Sequence, residues 1–273
     1  MQCTSPYYVN GIMPVPCGNC MSCRISRTSE WSQRIQHEMQ GRDSTFITLT
    51  YDKDNADEKS SLVKTDLVKF VKRLRKRIEK PIKYYACGEY GDIGSRPHYH
   101  IIVIGWRPDD LFGYLRTGKT IARRSETVEK LWKFGYSSVG TVTPDSIQYV
   151  CGYIRKKLNG KRLEEYGGKE PPFSLQSMGI GKEYALKHLG DFKRGYMTKG
   201  GVKIPIPRYY KKLLDEYGNY KIARQVKGLL NQLDKRNDEV YVSAYNSGLI
   251  ESDRKRRRSE HIAREKRQKK GTF

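Results

Sequence analysis

Residues 83–105 read KYYACGEYGDIGSRPHYHIIVIG, and two strand-like runs meet inside them. His98 and His100 are separated by one residue and lead into the apolar run Ile101-Ile102-Val103-Ile104. Residues two apart on a strand share a face, so both imidazoles project from the same side. Nine residues before His98, Glu89 stands at the end of a second run, Ile82-Lys83-Tyr84-Tyr85-Ala86-Cys87. Gly88, Gly91, Gly94 and Pro97 punctuate the connection, so the two runs read as an antiparallel hairpin. Such a hairpin brings one carboxylate and two imidazoles around a single divalent ion. A strand histidine is ordinarily just a hydrogen-bonded polar group. Two of the chain's five at strand spacing, beside a carboxylate, point further.

A second constellation lies at Tyr149-Val150-Cys151-Gly152-Tyr153-Ile154-Arg155-Lys156-Lys157. A helix is expected to begin near Pro144-Asp145, with proline early and aspartate in the first turn. Residues four apart share a helix face, so Tyr149 and Tyr153 stack one turn apart, with Lys156 and Lys157 continuing that side. Alone, the pair reads as core packing with lysines reaching to water. Beside a metal hairpin it reads as chemistry, because a phenol attacks a phosphodiester whose phosphorus a metal has polarised.

Working outward, Thr45–Tyr51 alternates and is expected to be a strand. Val63, Leu67, Phe70, Val71, Leu74 and Ile78 form the apolar stripe of a helix. Its other face carries Lys69, Lys72, Arg73, Lys76, Arg77 and Lys80, a nearly single-signed surface suited to phosphate. A weak helix over Glu126–Trp132 and a strand over Ser137–Val142 precede the tyrosine helix. The order strand, helix, strand, strand, helix, strand predicts an α+β fold, a ferredoxin-like split βαβ antiparallel sheet with the tyrosine helix across its face. Beyond Asn159-Gly160 the pattern weakens to a short helix at Lys182–Leu189, a strand at Val202–Ile206 and a helix at Arg208–Tyr217.

The N-terminal segment holds Cys3, Cys17, Cys20 and Cys23, followed by a helix with Ile25, Trp31, Ile35 and Met39 on one side. The four thiolates suit a tetrahedral Zn²⁺; the ordinary reading is a set of reduced cytosolic thiols. At the other end, residues 251–270 hold ten Lys/Arg against four Asp/Glu. This block reads either as a nucleic-acid tail or as a solubilising helix.

Over all 273 residues, 53 Lys/Arg against 30 Asp/Glu give a net charge of +23, which calls for a polyanionic partner. Twenty tyrosines offer stacking surfaces for unpaired bases. An apolar stretch of membrane-spanning length and the apolar core of a signal peptide are both absent, so the expectation is a cytoplasmic chain with no membrane partner. No Walker-type phosphate loop occurs, so any unwinding falls to supercoiling or a separate helicase.

Phe46-Ile47-Thr48-Leu49-Thr50-Tyr51-Asp52, Arg96-Pro97-His98-Tyr99-His100 and the Tyr149/Tyr153/Lys156 helix resemble the three ordered motifs of HUH endonucleases. More closely, the chain resembles the replication initiation proteins of microviruses, the gene A class and its shorter gokushovirus counterparts, over roughly residues 1–210. One departure is Gly152, where the gene A pattern Tyr-x-x-Lys-Tyr-x-x-Lys has a lysine. The resemblance implies an RRM-like sheet of about five strands. It also implies an organisation of residues 1–44 as a Cys-containing segment and helix, 45–160 as catalytic core, 161–218 as family extension and 219–273 as basic helical or disordered tail. In that reading Glu89, His98 and His100 hold Mg²⁺ or Mn²⁺. Tyr153 or Tyr149 then nicks single-stranded DNA at a viral replication origin, leaving a 5′-phosphotyrosyl link and a free 3′-OH, and later rejoins the strand. Lys156 or Lys157 steadies phosphate charge, and their nearness assigns the first cut to Tyr153. A host helicase and DNA polymerase in the bacterial cytoplasm complete the cycle. Two alternatives stay open: a plasmid or transposon HUH nuclease or relaxase, and a non-enzymatic RRM-like nucleic-acid binder.

Overall fold

A computed structural model describes residues 3–9, 13–58, 60–91, 95–117, 120–156, 164, 166–217, 228 and 232. Lys157, the side chain of Lys156 and the basic block at 251–270 lie outside the described residues. The chain divides into two compact units: one holds residues 28–184, the other the described residues before and after that span.

In chain order the elements are β1 (Tyr7–Val9), β2 (Met13–Val15), α1 (Met21–Glu38), β3 (Ser44–Tyr51), α2 (Lys53–Glu58), α3 (Lys64–Ile78), β4 (Lys83–Tyr90) and β5 (Pro97–Ile104). They continue as β6 (Leu111–Thr117), β7 (Thr120–Ser125), α4 (Glu126–Leu131), β8 (Gly135–Gly140), α5 (Pro144–Lys156) and β9 (Phe173–Gln176). The last are α6 (Lys182–Lys187), β10 (Met197–Lys199), β11 (Val202–Ile204) and α7 (Arg208–Tyr217).

Seven strands pair antiparallel in the order β6-β7-β8-β3-β5-β4-β9. The inner four, β8-β3-β5-β4, are the strands expected from sequence, in the order that a split βαβ unit requires. The expectation of about five strands is corrected to seven. β6 and β7 extend one edge, and β9 covers the other. The LFGYLRT and TIARRS stretches escaped notice because Phe112, Tyr114, Leu115 and Ile121 are exposed and a bulge between Phe112 and Leu115 breaks the alternation.

Both faces of this sheet are covered, which explains the unbroken apolar run in β5. Tyr99, Ile101 and Val103 pack with Leu67, Phe70 and Leu74 of α3 and with Val128 and Trp132. Ile102 and Ile104 pack on the other side with Ile35 of α1 and with Ile147, Val150, Cys151 and Tyr153 of α5. Burying a residue of this size is worth roughly 1.5–3 kcal/mol, so the two layers hold β5 in one register. The basic face of α3 therefore lies on the side of the sheet away from α5, and its Arg73 Nε donates to the Leu131 carbonyl at 2.9 Å.

Local chemistry sets the ends of these elements. α3 closes at Glu79, in the left-handed region at φ 55°, whose N–H donates to the Arg75 carbonyl at 3.3 Å. α5 opens with a reciprocal cap: Ser146 N–H donates to Thr143 Oγ1 at 3.1 Å, and Thr143 N–H donates to Ser146 Oγ at 2.8 Å. At the start of β8, Gly135 sits at φ 140°, and a Cβ there would lie 2.2 Å from the Asp52 nitrogen and 2.7 Å from the Thr50 oxygen. Gly135→Ala is expected to lower stability by roughly 3 kcal/mol or more, read from urea unfolding. An unchanged midpoint would mean that the β3–β8 end relaxes freely.

Candidate active site

The antiparallel register assembles the site. His98 stands opposite Thr50 on β3 and Glu89 on β4, and His100 stands opposite Thr48 and Cys87. Period-two alternation puts both imidazoles on the α5 side, since Tyr99 between them faces α3. Each ring nitrogen Nδ1 meets a threonine hydroxyl, His98 with Thr50 Oγ1 at 2.9 Å and His100 with Thr48 Oγ1 at 3.1 Å. His100 Nε2 lies 3.1 Å from Glu89 Oε1, and both residues are buried. Burial first, then the neighbouring His100, holds the His98 pKa below the ordinary imidazole value, which favours the neutral, ligating form.

Both predicted tyrosines reach this cluster. The Tyr153 ring stacks parallel to His100 at 5.6 Å, the Tyr149 ring meets it edge-on at 5.3 Å, and the two phenol rings are 4.8 Å apart. Their surroundings differ sharply. Tyr153 is 4% exposed and Tyr149 50%. Burial chiefly, then the neighbouring Tyr149 and Glu89, pushes the Tyr153 phenol far above its ordinary pKa. Between them, burial pushes the Cys151 thiol up to about 12, so it acts as a core residue rather than a nucleophile. Cys151 also anchors the helix, its carbonyl accepting from Thr28 Oγ1 at 3.2 Å. Gly152 is buried where the gene A pattern carries lysine.

Three contributors were missed from sequence. Thr48 and Thr50 orient the imidazoles, and their alternation within TLT was the available signal. Gly91 is the third: a Cβ on it would fall 2.7 Å from His98 Nε2, so only glycine leaves that atom open. Phe46 adds a ring stacked 5.8 Å from His100.

Glu89, His98 and His100 fit a divalent ion by their chemistry. With both Nδ1 atoms occupied by hydroxyls, the two Nε2 atoms are the ones left to ligate, as in metal sites whose histidines are held from behind. A hydroxyl donates or accepts, so the threonines tolerate either tautomer. The His98 and His100 rings stand 6.5 Å apart. Among the described residues, the group of three or more candidate ligands whose atoms all lie within 4.8 Å of one another is Cys3, Cys17, Cys20 and Cys23. Thr50→Val, which keeps the shape and deletes the hydroxyl, is expected to weaken metal-dependent activity by about 10–100-fold. A titration of nicking rate against Mn²⁺ reads this, and an unshifted curve would show that Thr50 does not orient His98.

Comparison with known proteins bears on the same residues. A sequence model of the replication-associated protein ORF2 family matches residues 44–158, the span holding every residue of this site. The chain is 31% identical over 227 residues to replication-associated protein ORF2 of Spiroplasma virus 4, covering 77% of this chain and 69% of that one. This chain belongs to the replication-associated protein family of phages. Within that family it is 34% identical over 209 residues to the VP4 protein of Bdellovibrio phage phiMH2K, and 33% identical over 221 residues to the ORF4 protein of Chlamydia phage 1. These alignments cover 72% and 74% of this replication-associated protein but 66% and 53% of the relatives. No solved structure matches it. Among its described residues no helix is long and apolar enough to cross a membrane.

Proposed function

We propose that this chain is a rolling-circle replication initiator, a nicking and joining enzyme acting on single-stranded origin DNA. The observation that carries the reading is the packing of two phenols, Tyr149 and Tyr153, against an imidazole that is itself paired with a carboxylate on one sheet face. Glu89, His98 and His100 would hold Mg²⁺ or Mn²⁺. The ion, when bound, would supply charge stabilisation for the scissile phosphate.

The protein's own groups do the rest. A phenol oxygen attacks phosphorus, the P–O3′ bond breaks, the phenolic proton leaves, and the departing 3′-oxygen takes up a proton. A 5′-phosphotyrosyl ester and a free 3′-OH result, the latter a primer for a host polymerase. The ester conserves the phosphodiester linkage, so the strand is rejoined when a 3′-OH attacks it. A second phenol 4.8 Å from the first lets one helix cut again before it releases the first product. Lys156 or Lys157 would steady phosphate charge, and a separate helicase would open the duplex.

Denaturing electrophoresis after incubation with single-stranded origin DNA and Mn²⁺ tests the proposal. The expected result is a protein band shifted by covalent DNA and abolished by EDTA. Tight binding with neither nick nor adduct would make this a binding protein.

A further inference from the structure

We propose that Cys3, Cys17, Cys20 and Cys23 form a structural tetrathiolate Zn²⁺ site that holds the N-terminal hairpin together. Their four sulfur atoms all lie within 4.8 Å of one another, although Cys3 is 14 residues from its nearest partner in sequence. A tetrahedron with Zn–S bonds of about 2.3 Å has sulfur–sulfur edges of about 3.8 Å. The Cys3 and Cys20 sulfurs are 3.7 Å apart. That separation is far beyond a disulfide bond of about 2.05 Å. An iron–sulfur cluster would interpose several irons and sulfides and hold the four sulfurs further apart.

The backbone around the sulfurs is arranged for thiolates. Ser5 N–H and Cys17 N–H both donate to Cys3 Sγ, at 3.4 and 3.3 Å, and Cys20 N–H donates to Cys17 Sγ at 3.2 Å. Outer hydrogen bonds of this kind support a ligand's charge in metal sites. Gly18, at φ 74°, makes the left-handed turn that lets Cys17 and Cys20 face one point. Cys23 falls in the first turn of α1, and the β1–β2 hairpin returns the chain from Cys3 to Cys17.

Apolar packing gives the segment little other support. Tyr7, Tyr8 and Val15 of the hairpin are 65%, 41% and 36% exposed, so it buries little apolar surface. A two-stranded hairpin is marginal alone, and small segments without a core rely on a disulfide or a metal. The described cysteines are all free. That leaves the metal.

The test uses the full chain carrying His98→Ala and His100→Ala, so that the other candidate site contributes nothing. Purified protein is expected to contain one zinc per chain by elemental analysis. Cobalt replacement is expected to give the intense visible bands and sulfur-to-cobalt charge transfer of a tetrahedral thiolate site. Adding Cys3→Ser and Cys20→Ser should remove the zinc and expose the bonds near Tyr7–Val15 to protease, with circular dichroism reporting the rest of the fold. If that variant fails to fold, zinc content and the cobalt spectrum of the parent still decide. Absence of zinc with no cobalt uptake, iron–sulfur absorption, a Cys3–Cys20 disulfide by mass spectrometry, or zinc retained without the two cysteines would each overturn the proposal.

Discussion

His100→Ala is expected to lower origin nicking by about a thousandfold or more while leaving single-stranded DNA binding nearly unchanged. The two properties rest on different physics. Binding draws on a net charge of +23 distributed over the chain, so one neutral side chain removes little of it. Cleavage draws on one ion, whose stabilisation of phosphate charge is worth several kcal/mol, and about 4 kcal/mol is a thousandfold in rate. His100 is also the residue on which the site converges: Thr48 on one nitrogen, Glu89 on the other, and both phenols against the ring. Its loss removes a ligand and loosens the packing of both tyrosines. Nicking rates and a fluorescence binding curve on the same oligonucleotide separate these terms. Full cleavage by His100→Ala in saturating EDTA would remove the metal from the mechanism.

What could be read from the chain, and what could not, divides along physical lines. The HYH triplet announced itself because strand periodicity is local: two residues apart means one face, whatever the partner strand does. Tyr149 and Tyr153 were legible for the same reason at helical period. The threonines behind the imidazoles were not, because which residue faces His98 depends on the β3–β5 register, and a strand's own pattern does not state its register. Nor does helical spacing report depth. It put both phenols on one face of α5 without saying that one faces solvent and the other lies against the sheet. The edge strands β6 and β7 stayed hidden because half-exposed strands with arginine and glycine carry little alternation. The overlapping cysteine spacing was visible but indecisive, since only the hairpin return of the chain brings Cys3 to the other three.

Depth decides the last expectation, that Tyr149 makes the initiating cut and Tyr153 the second transfer. From sequence the proximity of Lys156 and Lys157 favours Tyr153 as the first nucleophile. The surroundings argue the other way. An incoming strand reaches the half-exposed Tyr149 without displacing any part of the core, whereas Tyr153 is buried beneath it. An attacking phenol must also give up its proton, and burial together with Tyr149 and Glu89 keeps the Tyr153 proton in place. Each unit by which a phenol's pKa rises costs about 1.36 kcal/mol of ionisation, or tenfold in reactive phenolate. Tyr149→Phe is therefore expected to suppress first-round adduct by at least about a hundredfold. Tyr153→Phe should still nick and form adduct but fail to release closed circles. Both changes remove a single hydroxyl and keep the rings packed on His100, so folding is not the variable measured. Peptide mapping of the trapped adduct from the unmodified chain provides an independent reading. DNA found only on Tyr153 would return the first cut to the residue beside the lysines, and DNA on neither tyrosine would remove α5 from the chemistry.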